Sequence, residues 1–165
     1  MAGISRRALL RRSFRADADS PLRPPWATEQ RIASDCTACG RCIEQCPEGI
    51  LFSEGGRPYV KTGISECTFC GRCAEACAEA VFDLNEAPWS LTAQIGDSCF
   101  LKTSVDCRLC TDACEPRALR FDLRVRPVGA VQVTEQDCTG CGACLVSCPT
   151  NAITLTDRME GQQNA

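Results

Sequence analysis

The chain has 165 residues, with 16 cysteines, no histidine and only six Phe, two Trp and one Tyr. Leu, Ile, Val and Phe together number 33, or 20% of the chain, which lies at the edge of the range where chains fail to fold. The net charge is −3, but residues 1–15 hold five arginines and no acid, so the rest carries −8 and a phosphate-tracking, nucleic-acid role is excluded.

Residues 1–30 form a basic, proline-containing arm. The segment Ser5-Arg6-Arg7-Ala8-Leu9-Leu10 is similar to a twin-arginine export signal. Such a signal also needs an apolar stretch of about 7–15 residues. Here Leu10 runs straight into Arg11 and Arg12. A cytoplasmic location is therefore expected. Arg6, Arg7, Arg11 and Arg12 are candidate contacts for an acidic partner surface or anionic lipid, unless the arm is simply solvated. In Arg23-Pro24-Pro25-Trp26, two prolines favour an extended polyproline segment. Trp26 is expected to anchor it on the body.

A first module is expected over 31–86. Cys36, Cys39, Cys42 and Cys46 with Pro47 form a C-x2-C-x2-C-x3-C-P run. Ile50-Leu51-Phe52 and Arg57-Pro58-Tyr59-Val60 read as strands joined at Glu54-Gly55-Gly56. Cys67, Cys70, Cys73 and Cys77 repeat the run, with Ala78 in the proline position. Ala80-Val81-Phe82-Asp83-Leu84 reads as a further strand. A connector is expected over 87–97, opening with Ala87-Pro88-Trp89.

A second module is expected over 98–157, followed by a polar tail over 158–165. Its first cysteine group is irregular. Cys107, Cys110 and Cys114 keep the spacing, but Ser104 holds the leading position and Cys99 lies eight residues before Cys107. Leu119–Leu123 and Ala130–Val133 read as strands by alternation. Cys138, Cys141, Cys144 and Cys148 with Pro149 form the last regular run, and Ala152–Leu155 closes the module. Pro149 should stop the short helix carrying Cys144 to Cys148.

Three chemistries compete for these thiols. A disulfide scaffold suits small secreted chains but not triads with two-residue gaps. Zinc usually takes two C-x2-C pairs, or pairs with histidine, which is absent. The run matches the bacterial ferredoxin ligand pattern, in which the fourth cysteine serves the other cluster. Crosswise assignment gives Cys36, Cys39, Cys42 with Cys77, and Cys67, Cys70, Cys73 with Cys46. By analogy, Cys138, Cys141, Cys144 take Cys114, and Cys107, Cys110, Cys148 take Cys99. Either Cys99 supplies the missing ligand, or Ser104 faces an incomplete, three-iron site. Soft thiolate suits this iron better than alkoxide. The expected fold is α+β, two tandem two-cluster ferredoxin-like modules, with 4Fe-4S clusters at three regular groups and a fourth at Cys99, Cys107 and Cys110. Arg41 and Arg72, each preceding a third ligand, either raise the potential of a nearby cluster or merely face solvent.

No nucleophile–base spacing or phosphate loop is present, so an enzyme is not expected. Across residues 5–157 the chain resembles the NapF family, ferredoxin-type accessory proteins of periplasmic nitrate reductase systems. The resemblance is carried by Ser5-Arg6-Arg7 without an apolar stretch, Arg23-Pro24-Pro25-Trp26, the regular runs, and Ile95-Gly96-Asp97-Ser98-Cys99 leading into Cys107-Arg108-Leu109-Cys110. It implies a cytoplasmic protein that binds the precursor of the nitrate reductase catalytic subunit and assists its maturation, by cluster supply or reduction. It also favours Cys99 as ligand. A general electron-transfer polyferredoxin is the alternative.

Overall fold

The computed structural model describes residues 21–158. The basic arm with Arg6, Arg7, Arg11 and Arg12 lies outside the described residues. Helix α1 (Glu29–Asp35) begins at Thr28, whose hydroxyl accepts the Arg31 N–H at 3.2 Å. That bond satisfies one of the donors left free in a first helical turn. Ile32 is its buried anchor. Arg31 then reaches Glu86 at 2.8 Å and Asp83 at 3.4 Å, tying α1 to the far end of the module. Exposed pairs of this kind contribute about 0–1 kcal/mol.

Strands β1 (Leu51–Glu54) and β2 (Arg57–Val60) form an antiparallel hairpin, in register from Leu51 opposite Val60 to Glu54 opposite Arg57. Leu51 and Val60 turn inward onto Ile50, Cys42 and Cys73. Two one-turn helices, α2 (Arg41–Glu44) and α3 (Arg72–Glu75), pack on one another and carry those two cysteines. Short alternating strands and one-turn helices bury little surface each. Cysteine therefore fills core positions that aliphatic side chains hold elsewhere.

The second module repeats this plan. Strands β4 (Leu119–Asp122) and β5 (Ala130–Val133) form its hairpin. Helices α4 (Leu109–Asp112) and α5 (Ala143–Ser147) pack together. The connector expected over 87–97 is instead partly strand. β3 (Leu91–Ile95) pairs antiparallel with β6 (Ile153–Asp157), from Leu91 opposite Asp157 to Ile95 opposite Ile153. Part of the expected connector therefore packs with the closing strand of the second module. Ala93, Ala118, Leu119, Cys138, Cys144 and Ile153 make the core beneath.

Two further expectations change. Over 80–84 the structure has a single antiparallel bridge, Phe82 opposite Ala27, rather than a strand. The chain that would pair with it contains Pro24 and Pro25, which cannot donate to a ladder. Trp26 also sits at φ 66°, which turns the backbone out of strand geometry. The extended polyproline segment is accordingly a turn, closed by Ala27 N–H donating to Pro24 C=O at 3.1 Å. Trp26 anchors it as expected, edge-on to Phe69 at 6.2 Å, and Phe69 continues to Trp89 at 5.4 Å.

The last cysteine loop lies hard against β3. Gly140 has φ 73°, and a Cβ there would stand 2.7 Å from Leu91 Cβ. Gly142 has φ 90° but open space around it. Gly140→Ala should therefore cost about 2–4 kcal/mol, strain plus overpacking, against about 1–2 for Gly142→Ala. Denaturant unfolding of the anaerobically loaded variants measures both; equal losses would contradict the close approach to Leu91.

Candidate metal centres

The structure gathers the 16 cysteines into four sets of four, each lining one cavity. Site I has Cys36, Cys39, Cys42 and Cys77. Site II has Cys46, Cys67, Cys70 and Cys73. Site III has Cys99, Cys107, Cys110 and Cys148. Site IV has Cys114, Cys138, Cys141 and Cys144. The structure thus groups the first module's cysteines crosswise, groups the second module's as the analogy assigned them, and of the two readings left open for the irregular group lines site III with Cys99. Ser104 lines none of these cavities. It sits at φ 63° and ends a 3-10 turn over Phe100–Thr103 that begins at Cys99.

The crossing follows from the short helices. Each regular run places two ligands in a loop and the third inside a helical turn. The fourth lies four residues after the third, so it emerges beyond that turn and meets the other run's loop. Gly40, Gly71 and Gly142 precede α2, α3 and α5 in the left-handed region, at φ 76°, 77° and 90°. In the irregular run Arg108 takes that place at φ −132°. Its guanidinium stacks on Phe121 at 4.2 Å. Without the left-handed turn the preceding chain follows another path, and the leading ligand comes from Cys99.

All 16 cysteines are free thiols. Among the described residues no group of three or more His, Cys, Asp or Glu is gathered for a single metal ion. A tetrahedral zinc would draw its thiolates to about 2.3 Å from one point. Each cavity is instead lined by four thiols drawn from two ligand runs, the donor set of a polynuclear iron–sulfur core. The residues present therefore suit 4Fe-4S clusters.

Burial pushes the Cys73 and Cys144 thiols up to about 12 and those of Cys42, Cys67 and Cys110 up to about 11. Thiolate is the ligating form, so filling the sites must release protons. Two ligands are tuned the other way. Arg41 Nε donates to Cys39 Sγ at 3.5 Å and holds that thiol below its ordinary value. Arg72 is exposed and makes no matching contact. Burial acts to raise Cys148, but bonds from the Thr150 hydroxyl and the N–H groups of Ala152, Thr150 and Ile153 outweigh it and lower the thiol. The Ala152 N–H lies 3.3 Å from that sulfur.

The sites differ in exposure. Site IV has two buried cysteines, Cys138 and Cys144. Sites I and II each have one buried and one exposed, while all four at site III are half-buried. Pro25, Trp26 and Phe69 wall site II, so the turn before α1 is a cover for that site. Sequence reasoning placed Trp26 as an anchor but did not see this cover. Its only local signal is the pair of aromatic residues Trp26 and Phe69.

Known proteins agree with this construction. Residues 35–82 and 105–162 each match a family of 4Fe-4S dicluster domains. The fold and its sites thus define an iron–sulfur protein built of two tandem dicluster ferredoxin domains. A "Ferredoxin-type protein NapF" of Escherichia coli (strain K12) is 42% identical over 153 residues, 91% of this chain and 93% of the relative. A protein of the same name from Haemophilus influenzae is 41% identical over 144 residues, covering 86% and 82%. The "Methylamine utilization ferredoxin-type protein MauM" of Paracoccus denitrificans is 28% identical over 169 residues, covering 90% and 75%. The chain belongs to the family of ferredoxin-type NapF proteins.

If Cys99 completes site III, Cys99→Ala should remove one cluster, a loss of about four irons of about 16, or leave a three-iron form. Ser104→Ala should leave iron and sulfide unchanged. Iron assay with paramagnetic resonance of anaerobic protein reads both; the reverse pattern would make serine the ligand.

Proposed function

We propose that this protein is a cytoplasmic iron–sulfur accessory protein that docks on the precursor of the periplasmic nitrate reductase catalytic subunit. It assists maturation before export, by cluster supply or reduction, and is not itself an enzyme. The observation that carries this reading is the near-full-length similarity to ferredoxin-type NapF proteins, 42% over 91% of the chain. The resemblance read from Ser5-Arg6-Arg7, Arg23-Pro24-Pro25-Trp26 and the displaced Cys99 supports the same reading.

The four cysteine sets would hold four 4Fe-4S clusters. Such a cluster, when bound, supplies one-electron oxidation and reduction. The chain's own part is to ligate, shield and tune. Cys42, Cys73, Cys138 and Cys144 supply buried thiolates. Trp26 and Phe69 wall site II. Arg41 places a positive charge beside Cys39 and favours the more reduced state at site I. Four protein ligands per site leave no position for a substrate, which supports a carrier or accessory role.

A second reading, a general electron-transfer polyferredoxin, is favoured by the similarity to MauM, a ferredoxin-type protein named for a different process. Purification from anaerobic cells separates the two. Recovery of a molybdenum-enzyme precursor supports the maturation role; recovery of a flavoprotein reductase instead supports the shuttle.

The arm offers a specific test. Five arginines in residues 1–15 stand against −8 on the rest of the chain. Exposed charges steer encounter and set salt dependence. Deleting residues 2–15 should leave iron content unchanged and weaken precursor binding, most at low ionic strength. Replacing Arg6 and Arg7 should give part of that loss. Unchanged binding at every salt concentration would remove the arm from the docking surface.

A further inference from the structure

The two modules touch through their own ligand loops. Cys67, the first cysteine of site II, donates its backbone N–H to the carbonyl of Cys141 at 2.8 Å. Cys141 is a member of site IV. A hydrogen bond therefore runs directly between ligand residues of two sites in different modules. Cys67 and Cys141 are both half-buried at this seam. The Cys141 sulfur is close enough to add to the upward push on the Cys67 thiol.

Inside each module the neighbours are fixed by the crossed ligands. Cys42 and Cys46 leave the same short run for sites I and II. Cys73 and Cys77 do the same in the opposite sense. Helices α2 and α3 pack on one another and carry Cys42 of site I and Cys73 of site II, as α4 and α5 carry Cys110 of site III and Cys144 of site IV. Cys110 and Cys114 are divided between sites III and IV, and Cys144 and Cys148 between IV and III. Each site thus shares its ligand runs with one partner in its own module, and among the described residues the backbone bond between ligand residues of different modules joins II to IV.

We propose that the four sites form a single series in the order I, II, IV, III, joined between modules at the Cys67–Cys141 backbone bond. This rests on the reading of the cavities as 4Fe-4S sites. The series makes the protein one conductor rather than two carriers on a string. One electron given by a one-electron reductant, such as a reduced flavin, at one terminal site is matched by one electron passed to an oxidised iron–sulfur partner at the other. No proton or ligand moves. Tunnelling falls steeply with distance, so the nearest site receives the electron, and the seam decides whether the modules communicate. Sites I and III are then the two ends.

The test uses full-length, anaerobically loaded protein reduced with dithionite and read by paramagnetic resonance. Cys39→Ala with Cys107→Ala removes the end sites and leaves II and IV. Their signals should be broadened and split by each other; two sharp independent signals would overturn the series. Cys70→Ala with Cys141→Ala leaves I and III, whose signals should stay sharp, and mutual splitting there would overturn the order. If either double variant fails to load, amide exchange of wild-type loaded protein decides. The Cys67 N–H should exchange at least about tenfold slower than an open loop amide, and exchange at the open rate would overturn the junction. Wild-type protein lacking iron–sulfur signals overturns the cluster reading and the series together. Full signals without coupling overturn the series alone.

Discussion

Everything in this fold depends on sixteen thiols gathered at four places. The buried cores of both modules are built around cysteine: Cys42 and Cys73 in one, Cys138 and Cys144 in the other. Around them stand few large aliphatic side chains, chiefly Ile50, Leu51 and Val60, then Leu119 and Ile153. The strands reach only four or five residues, and the cysteine-bearing helices four or five. Elements this short hold together when something at their centre bonds to several of them at once. Metal–ligand bonds can contribute folding free energy of that size, about 10–16 kcal/mol for a structural zinc in peptides.

The two modules follow one plan and depart from it for identifiable reasons. The strand pair that closes the second module, β3 with β6, shrinks to one bridge in the first. Pro24 and Pro25 remove the donors a ladder would need. The same turn then carries Trp26 over site II, so a lost strand becomes a cover. In the second module, Arg108 replaces the glycine that starts a cysteine helix elsewhere. The ligand loop reroutes through Cys99, and site III is left without a fully buried thiol. Both departures fall on sites rather than on structure remote from them.

The ligand sets were readable because cluster chemistry writes its spacing into the chain. In the regular runs, two-residue gaps and a four-residue step fix which thiols share a loop and which must cross; at the irregular run spacing alone left Cys99 and Ser104 both open. Hairpins β1–β2 and β4–β5 were readable from alternation bounded by glycine. Strand β3 was missed because Ala87-Pro88-Trp89 signals a loop, although Leu91-Thr92-Ala93-Gln94-Ile95 is strand-forming. Helix α1 offered only a Thr28 cap and one buried residue, Ile32. The strand expected at 80–84 failed because a sequence segment does not announce that its partner holds two prolines. The Cys67–Cys141 seam is a backbone contact between distant loops and leaves no local pattern at all.

With so thin an apolar core, inorganic clusters are what should hold this fold together. Removing iron anaerobically from the loaded protein, and recording amide resonances and denaturant unfolding before and after, tests it directly. The loaded protein should give dispersed resonances and a cooperative transition; the iron-free protein should lose both. An iron-free chain that keeps dispersed resonances and unfolds cooperatively would contradict the account.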